Sequence, residues 1–151
     1  MNAHLNHFTK LSFRMAKDKI HYIVKESLMK NGWKITHDPY YLKVLDVEQE
    51  IDIGAEEIVA AEREGKKIAV EVKSFLKGSF INEFHGVLGQ YLNYGMSLEE
   101  QEPDRELYLA ISSFVYENYF HKAAIQKAVK KYCIKIIVID IENQNLLSWI
   151  I

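Results

Sequence analysis

Two carboxylates and a lysine are the side chains of this sequence best suited to chemistry at a phosphodiester. Glu71 and Lys73 lie two residues apart, and Asp52 precedes them in another stretch of β-strand character. Carboxylate oxygens are the ligands that Mg²⁺ prefers, and such a site keeps coordination positions for water and phosphate. The metal would activate a water molecule, while Lys73 would hold that water and offset developing negative charge. These residues predict a Mg²⁺ (or Mn²⁺) site with Asp52 and Glu71 as ligands and Lys73 as a catalytic partner.

Glu71 and Lys73 lie on the same face of a predicted strand. From residue 67 to residue 73, isoleucine and valine alternate with lysine, alanine and glutamate, which is the pattern of a half-buried strand. Residues 57–61 predict the preceding strand, and the polar, glycine-containing segment 62–66 predicts the turn between them. The two strands therefore form a β-hairpin.

The register of this hairpin decides which residue faces Glu71. If the turn centres on residues 64–65, the apolar Ile58 lies opposite Glu71. Asp52 then shares the correct face but lies about four residues past Lys73, roughly 13 Å away at ~3.3 Å per residue. A straight strand would keep Asp52 too far from Glu71 to share a metal ion.

Two acidic residues are therefore alternative candidates for the second metal ligand. A bend or bulge at Gly54 would bring Asp52 closer, because glycine inside a strand often marks such a bend. Glu56 falls opposite Lys73 and is the alternative ligand if the strand runs straight. A different interpretation of the lysine and glutamate is an exposed ion pair on a solvated face, which stabilises a protein by well under ~1 kcal/mol.

Length and composition indicate an ordinary globular protein. A chain of 151 residues with 48% hydrophobic and 26% charged residues is typical of one soluble domain. We expect a flexible tail over residues 1–14 and a single domain over residues 15–151. The single cysteine, Cys133, excludes an internal disulfide and favours a reducing cytoplasm. No apolar run is long enough to span a membrane, so we expect no membrane partner.

The charge balance limits how the chain can bind nucleic acid. A formal net charge of −2 argues against a protein that coats nucleic acid nonspecifically. Any affinity for phosphate must come from a local patch of basic residues. The candidates are Lys25, Lys34, Lys73, Lys77, Lys122, Lys127, Lys130 and Lys131.

The periodicity of the whole chain predicts the order α-β-β-β-α-β-α-β-β. This order indicates an α/β fold with one mixed sheet flanked by helices. The predicted elements are a helix from residue 17 or 18 to 30, an interrupted strand over 33–47, strands at 57–61 and 67–73, a helix at 81–94, a loop at 97–105, a strand at 107–111, a helix at 117–132, and strands at 135–141 and 146–151.

A helix, a three-stranded meander bearing Asp…Glu-x-Lys, a second helix and a further strand resemble the PD-(D/E)XK restriction-endonuclease-like fold. The match spans roughly residues 18–112. Gln90 and Tyr94 have the Gln-x-x-x-Tyr spacing of exonuclease-like members, and both project from one helix face. By that resemblance Gln90 belongs to the catalytic group and Tyr94 lies beside it. The alternative is that Tyr91 and Tyr94 are core and rim aromatics and that Gln90 is solvated.

The first helix supplies two secondary candidates. His21 and Lys25 lie one helical turn apart. In related nucleases the first helix often lends a polar group to the active site, so the resemblance makes His21 a candidate proton shuttle or phosphate contact. The alternative is a surface histidine with no catalytic role.

Six short segments carry a narrower and more specific resemblance than Glu-x-Lys alone. They are Lys17–His21, Gly32–Thr36, Asp38–Pro39, Ile51–Ala55, Ala69–Phe75 and Leu88–Tyr91. Together they resemble the XisH family, the fdxN element excision controlling factors. The resemblance implies a DNA-excision accessory factor that acts with a recombinase and a small companion protein of the XisI type.

Two hypotheses from different classes follow. The first is a metal-dependent DNA endonuclease that uses Asp52, Glu71 and Lys73. The second is a noncatalytic subunit that keeps the nuclease fold and binds DNA or a partner protein, including further copies of the same chain. The intact acid-acid-lysine set favours the first hypothesis, and the acidic net charge favours the second.

Overall fold

The hairpin that carries Glu71 lies inside a six-stranded sheet whose strand order follows the chain order, β1-β2-β3-β4-β5-β6. The computed structural model describes residues 2–43, 58–76 and 78–151, with side chains from residue 15 onward. The strands are β1 Lys34–His37, β2 Ile58–Arg63, β3 Lys66–Val72, β4 Arg105–Ser112, β5 Ile136–Asp140 and β6 Asn145–Ile150.

Antiparallel pairs form both ends of the sheet, and parallel pairs form its centre. The first three strands pair antiparallel, β3-β4 and β4-β5 pair parallel, and β5-β6 pair antiparallel. The β2-β3 turn centres on Glu64 and Gly65, which both have positive φ (52° and 79°). Two consecutive residues with positive φ form the turn that matches the twist of a tight hairpin, and glycine adopts this conformation without steric cost. The predicted position of the turn is therefore confirmed.

Helices cover both faces of the sheet. They are α1 Asn2–Lys30, α2 Phe80–Gln101, the short α3 Ser113–Val115, a π-helical turn over Tyr116–Phe120, and α4 Ala123–Lys131. Helix α2 connects the parallel strands β3 and β4, and the three later helical pieces connect β4 to β5. Parallel neighbouring strands need such crossovers because the chain must return to the end of the sheet at which the first strand began.

Strand β3 separates two hydrophobic layers. Ile68, Val70 and Val72 pack in the layer of α1, with helix residues such as Leu28. Ala69 faces the opposite layer, which contains the buried residues of α2 and α4. Because side chains alternate along a strand, Glu71 shares the face of Ala69 and lies beneath α2.

The predicted α/β fold with a mixed sheet and flanking helices is confirmed, but the three predicted helices differ in extent from those observed. Helix α1 begins at Asn2 rather than at residue 17 or 18, because residues 2–31 contain no glycine or proline to end a helix earlier. Its backbone includes most of the segment 1–14, whose flexibility stays a prediction. Helix α2 continues to Gln101 through the segment predicted as a loop, because Leu98 is buried in the core and Pro103 comes only later.

The third helix predicted, over residues 117–132, is divided in two. On one straight helix at 100° per residue, Phe120 and Val129 would point in opposite directions. Both are buried in the same layer. The extended backbone of Lys122 (φ −63°, ψ 135°) separates the π-helical turn from α4 and lets both side chains reach the core. None of the helices in the described residues has the length and apolar character needed to cross a membrane.

A buried tyrosine joins α2 to the two central parallel strands. The Tyr91 hydroxyl donates a hydrogen bond to the Leu107 carbonyl (3.0 Å) and accepts one from the Lys135 backbone N–H (3.0 Å). Removal of this oxygen would leave both backbone groups without their partner. Tyr91 therefore ties the helix above Glu71 to the sheet that contains Glu71.

We predict that Tyr91→Phe lowers the free energy of unfolding by about 1–3 kcal/mol, because two buried backbone groups lose a hydrogen-bond partner. Urea denaturation measures the change. Tyr22→Phe is the matched control, since Tyr22 is 56% exposed and its loss should change stability by less than about 0.5 kcal/mol. Equal effects in the two variants would show that the Tyr91 hydroxyl does not hold α2 to the sheet.

Candidate active site

Glu71 lies between apolar neighbours in the middle of the sheet. Ile58 of β2 is its antiparallel partner, and Leu109 of β4 is its parallel partner. The predicted register, with Ile58 opposite Glu71, is confirmed. The residue is 0% exposed, so its carboxyl group has no contact with bulk water. A carboxylate in such a place is costly unless it is neutralised, hydrogen-bonded or paired with a cation.

Lys73 is the charged partner of Glu71. Its Nζ lies 3.7 Å from Glu71 Oε1, which is within ion-pair distance but longer than a hydrogen bond. The backbone N–H of Lys73 donates to the Ala110 carbonyl (3.0 Å), so pairing with β4 continues past the end of β3 and positions this side chain. Neither carboxylate oxygen of Glu71 has a hydrogen-bond donor among the described residues.

Burial shifts the pKa of both members of the pair. Desolvation raises the pKa of Glu71 to about 7, and the positive charge of Lys73 opposes this rise only in part. Desolvation also lowers the pKa of Lys73, while Glu71 and Glu83 act to raise it. In both residues the low-polarity surroundings disfavour the charged form. Glu71 is therefore a carboxyl group that can exchange a proton near neutral pH.

Helix α2 places two further polar residues near this pair. Tyr94 is buried, and desolvation followed by the charge of Glu71 raises its pKa to about 12. Its hydroxyl has no hydrogen-bond partner in the described part of the chain. Glu83, in the first turn of α2, acts on the pKa of Lys73. The sequence analysis missed Glu83, although an acid in the first turn of the helix after the motif strand is a signal that could have found it.

Gln90 lies one turn before Tyr94 on α2 and is half-buried. Within the described residues it forms no hydrogen bond and no ion pair. Tyr91 is a core residue that bonds to backbone, as given above, and Tyr94 is also in the core. The structure thus brings Tyr94 toward Glu71, whereas a catalytic role for Gln90 stays a prediction.

His21 and Lys25 form a different cluster. His21 Nε2 lies 2.9 Å from one carboxylate oxygen of Asp38, and Lys25 Nζ lies 2.5 Å from the other. Burial acts to raise the pKa of Asp38, but the hydrogen bonds and charges of the two basic side chains outweigh it and hold the pKa below its usual value. The side chains of His21 and Lys25 therefore pair with Asp38. Both residues belong to α1, which covers the face of the sheet opposite to Glu71.

Asp52 and Glu56 lie outside the described residues, so their predicted roles stay predictions. The part of the chain with described side chains contains no cluster of three or more metal-ligating groups. Glu71 itself fits a divalent cation, because its two buried oxygens have no donor other than the nearby lysine and are hard ligands. A complete metal site would require Asp52, Glu56 or both.

Comparison with known proteins assigns the chain to a family. A family model described as XisH protein matches residues 15–147 of the chain. The chain belongs to the XisH family. The matched range includes every candidate site residue considered above, and the family resemblance inferred from the sequence is confirmed. None of the curated proteins matches the chain.

Two solved structures are similar to this XisH family member. An XisH family protein from Nostoc punctiforme PCC 73102 is 40% identical, with 88% of this chain and 99% of that chain covered and a TM-score of 0.80. A fdxN element excision controlling factor protein from Anabaena variabilis is 42% identical, with 89% of this chain and 99% of that chain covered and a TM-score of 0.80. The fold is therefore shared over nearly the full length of both relatives.

We predict that buried Glu71 makes the stability of the metal-free protein fall as pH rises. Its pKa is about 7 in the folded state against an ordinary value of 4.5, so between these values the folded protein holds a proton that the unfolded chain has lost. The free energy of unfolding should fall by about 3 kcal/mol across this interval and level off above it. Glu71→Gln should remove this fall. Urea denaturation with EDTA at about pH 5 and about pH 8 measures the difference.

Glu106→Gln is the control for this experiment. Burial acts to raise the pKa of Glu106, but Tyr108 and Lys135 help to hold it below the usual value, so its contribution is lost only at more acidic pH. That variant should keep the wild-type pH dependence between about pH 5 and about pH 8. If Glu71→Gln also keeps it, Glu71 is not the group that titrates.

Proposed function

We propose that this chain controls excision of a DNA element and that it does so through a Mg²⁺- or Mn²⁺-dependent site for phosphodiester hydrolysis. The 42% identity to a protein described as a fdxN element excision controlling factor supports the first part of the proposal. The buried pair of Glu71 and Lys73 supports the second part. The observation that carries it is the pairing of the Glu71 carboxylate, whose oxygens have no hydrogen-bond donor among the described residues, with the Lys73 ammonium group 3.7 Å away.

The proposed site belongs to the PD-(D/E)XK type. Glu71 and Lys73 lie at the carboxyl end of β3, beside the parallel strand β4. In sheets with parallel strands, ligands bind outside these carboxyl ends. Glu71 and either Asp52 or Glu56 would hold the metal ion, and Gln90 would contact the same site. A bound Mg²⁺ supplies an activated water and neutralises charge on the phosphate.

Lys73 is proposed to orient the attacking water and to offset the charge that develops on the phosphate. Its position suits this role because the backbone bond to Ala110 fixes the residue, while the side chain is largely buried beside Glu71. A fixed cation in a site of low polarity stabilises negative charge more strongly than one in water. Tyr94 would act as a neutral neighbour, since its raised pKa keeps the hydroxyl protonated.

A noncatalytic subunit is the second candidate function. The observation that favours it is the complete burial of Glu71, which gives solvent no access to the carboxyl group. In this function the chain would bind DNA, an XisI-type companion or a second copy of itself, and Glu71 with Lys73 would be a structural pair. For either function we propose a location in the cytoplasm, because Cys133 is free and exposed and thiols stay reduced there.

We predict that the protein nicks supercoiled plasmid in the presence of Mg²⁺ or Mn²⁺, with and without the companion protein as separate arms. Lys73→Ala and Glu71→Gln should each lower the rate by about 10²–10³-fold, because the first removes the cation that offsets charge on the phosphate and the second removes a metal ligand. Lys66→Ala is the matched control on the same strand, since Lys66 is exposed and only pairs with Glu106 on the surface. A nicking rate equal in all four proteins identifies a contaminant, and intact plasmid in every arm favours the noncatalytic function.

We predict that calorimetry detects Mn²⁺ binding and identifies the second acid. Glu71→Gln should weaken binding about 10-fold or more, because it removes a charged ligand. Asp52→Asn should do the same if the chain bends before β2, whereas Glu56→Gln should do so if the strand continues straight. Glu106→Gln serves as control for the loss of an acidic charge. Unchanged Mn²⁺ affinity in all three site variants would remove the metal from the proposal.

A further inference from the structure

Positive charge is concentrated in one part of this acidic protein. Residues 118–139 contain five lysines and no acidic residue. The rest of the chain contains 14 of the 19 basic residues and all 21 acidic residues, so its formal charge is −7. Such asymmetry between segments of one domain points to a polyanionic partner at the basic segment.

The basic segment folds into α4 and its flanks. Ile125 and Val129 bury the apolar side of α4 in the layer that also contains α2. The outer side carries exposed lysines, and we call these residues the α4 lysine face: Lys122, Lys127, Lys130 and Lys131. The fifth lysine of the segment, Lys135, is not part of the face because it pairs with Glu106 at 3.3 Å.

The lysines of this face lie close enough to repel one another, although the negative end of the α4 dipole favours Lys130 and Lys131 in its last turn. Lys127, Lys130 and Lys131 are three and four residues apart, so they are neighbours on one helix surface, where like charges destabilise the helix. No member of the face forms an ion pair with any residue that the structure describes. By contrast, Lys67 of β3 pairs with Asp104 at 3.3 Å. The unneutralised charge is consistent with an anion that the isolated chain lacks.

Aromatic contacts connect the α4 lysine face with the proposed active site. Lys122 Nζ lies 5.6 Å from the centre of the Tyr119 ring. The Tyr119 ring stacks on Phe80 with 4.4 Å between centroids, and Phe80 lies 5.1 Å from Phe75. Phe75 follows Lys73 by two residues. The lysine face and Glu71 are therefore on the same side of the sheet, and side-chain contacts connect Lys122 with Phe75, two residues from Lys73.

We propose that the α4 lysine face binds the phosphate backbone of DNA and guides it to the carboxyl end of β3, where Glu71 and Lys73 lie. The identity of the polyanion as DNA rests on the proposed function. Lysines attract phosphate without reading bases, so this surface gives affinity and orientation but no sequence preference. The charge of −7 on the rest of the chain repels DNA elsewhere and so restricts binding to this face.

A DNA-binding assay tests this proposal. It uses a short fluorescein-labelled duplex of arbitrary sequence and measures fluorescence anisotropy in EDTA over a series of salt concentrations. The test variant carries Lys127→Gln, Lys130→Gln and Lys131→Gln, which keep helix propensity while removing three charges. The matched control carries Lys19→Gln, Lys34→Gln and Lys66→Gln, three exposed lysines outside the face. Both variants have the same net charge.

The test variant should bind about tenfold more weakly, and its log–log salt dependence should lose about 2 to 3 units of slope. The control should change the slope by less than about 1. Equal losses in both variants would assign binding to net charge alone and overturn the proposal. Wild-type affinity and slope in the test variant would also overturn it, and would leave an acidic protein as the partner of this face.

The experiment separates this proposal from the proposed nuclease function. Because EDTA removes metal ions, binding is measured without any hydrolysis. If plasmid nicking fails while the α4 variant still loses DNA affinity, the hydrolytic site is wrong and the DNA surface stands.

Discussion

Burial of the Glu71 carboxylate is the constraint around which this fold is arranged. The effective penalty for taking an ionised group out of water is several kcal/mol, even after the protein relaxes. Here the group lies between Ile58 and Leu109 on neighbouring strands, so neither side offers a hydrogen-bond donor. Lys73 lowers this free-energy penalty only in part, because desolvation still raises the pKa of Glu71 to about 7.

The two faces of the sheet have different tasks. On the α1 face, Trp33 packs against Trp149 with 5.6 Å between ring centroids, and the Arg63 guanidinium covers Trp33 at 4.7 Å. The ion cluster of Asp38 also involves α1. These contacts hold the domain together. The α2 face contains the buried pair of Glu71 and Lys73 and the buried hydroxyl of Tyr94, which has no hydrogen-bond partner among the described residues. The hydrophobic residues of the α2 layer offset the cost of this buried pair within the same layer.

Local patterns explain which features could be predicted from the sequence. The alternation of β3 and the glycine of its turn lie within a few residues of each other, so the register that places Ile58 opposite Glu71 was correct. The end of α2 depends on burial of Leu98 against distant strands, and the division of the third helix depends on where Phe120 and Val129 meet the core. Short windows do not contain that information. The pairing of His21 with Asp38 joins residues on separate elements, and no spacing rule predicts it.

The order of strands in the sheet has a consequence for how the chain reaches its folded state. Each strand pairs only with the strands that come next to it along the chain, from β1 to β6. No strand must be inserted between two that have already paired, and pairings of low sequence separation form faster than distant ones. Assembly can begin at the β2-β3 hairpin and proceed outward during synthesis. The strands on both sides of Glu71 are then in place once β4 has docked, and α2 is fixed above it only when Lys135, directly before β5, reaches the Tyr91 hydroxyl.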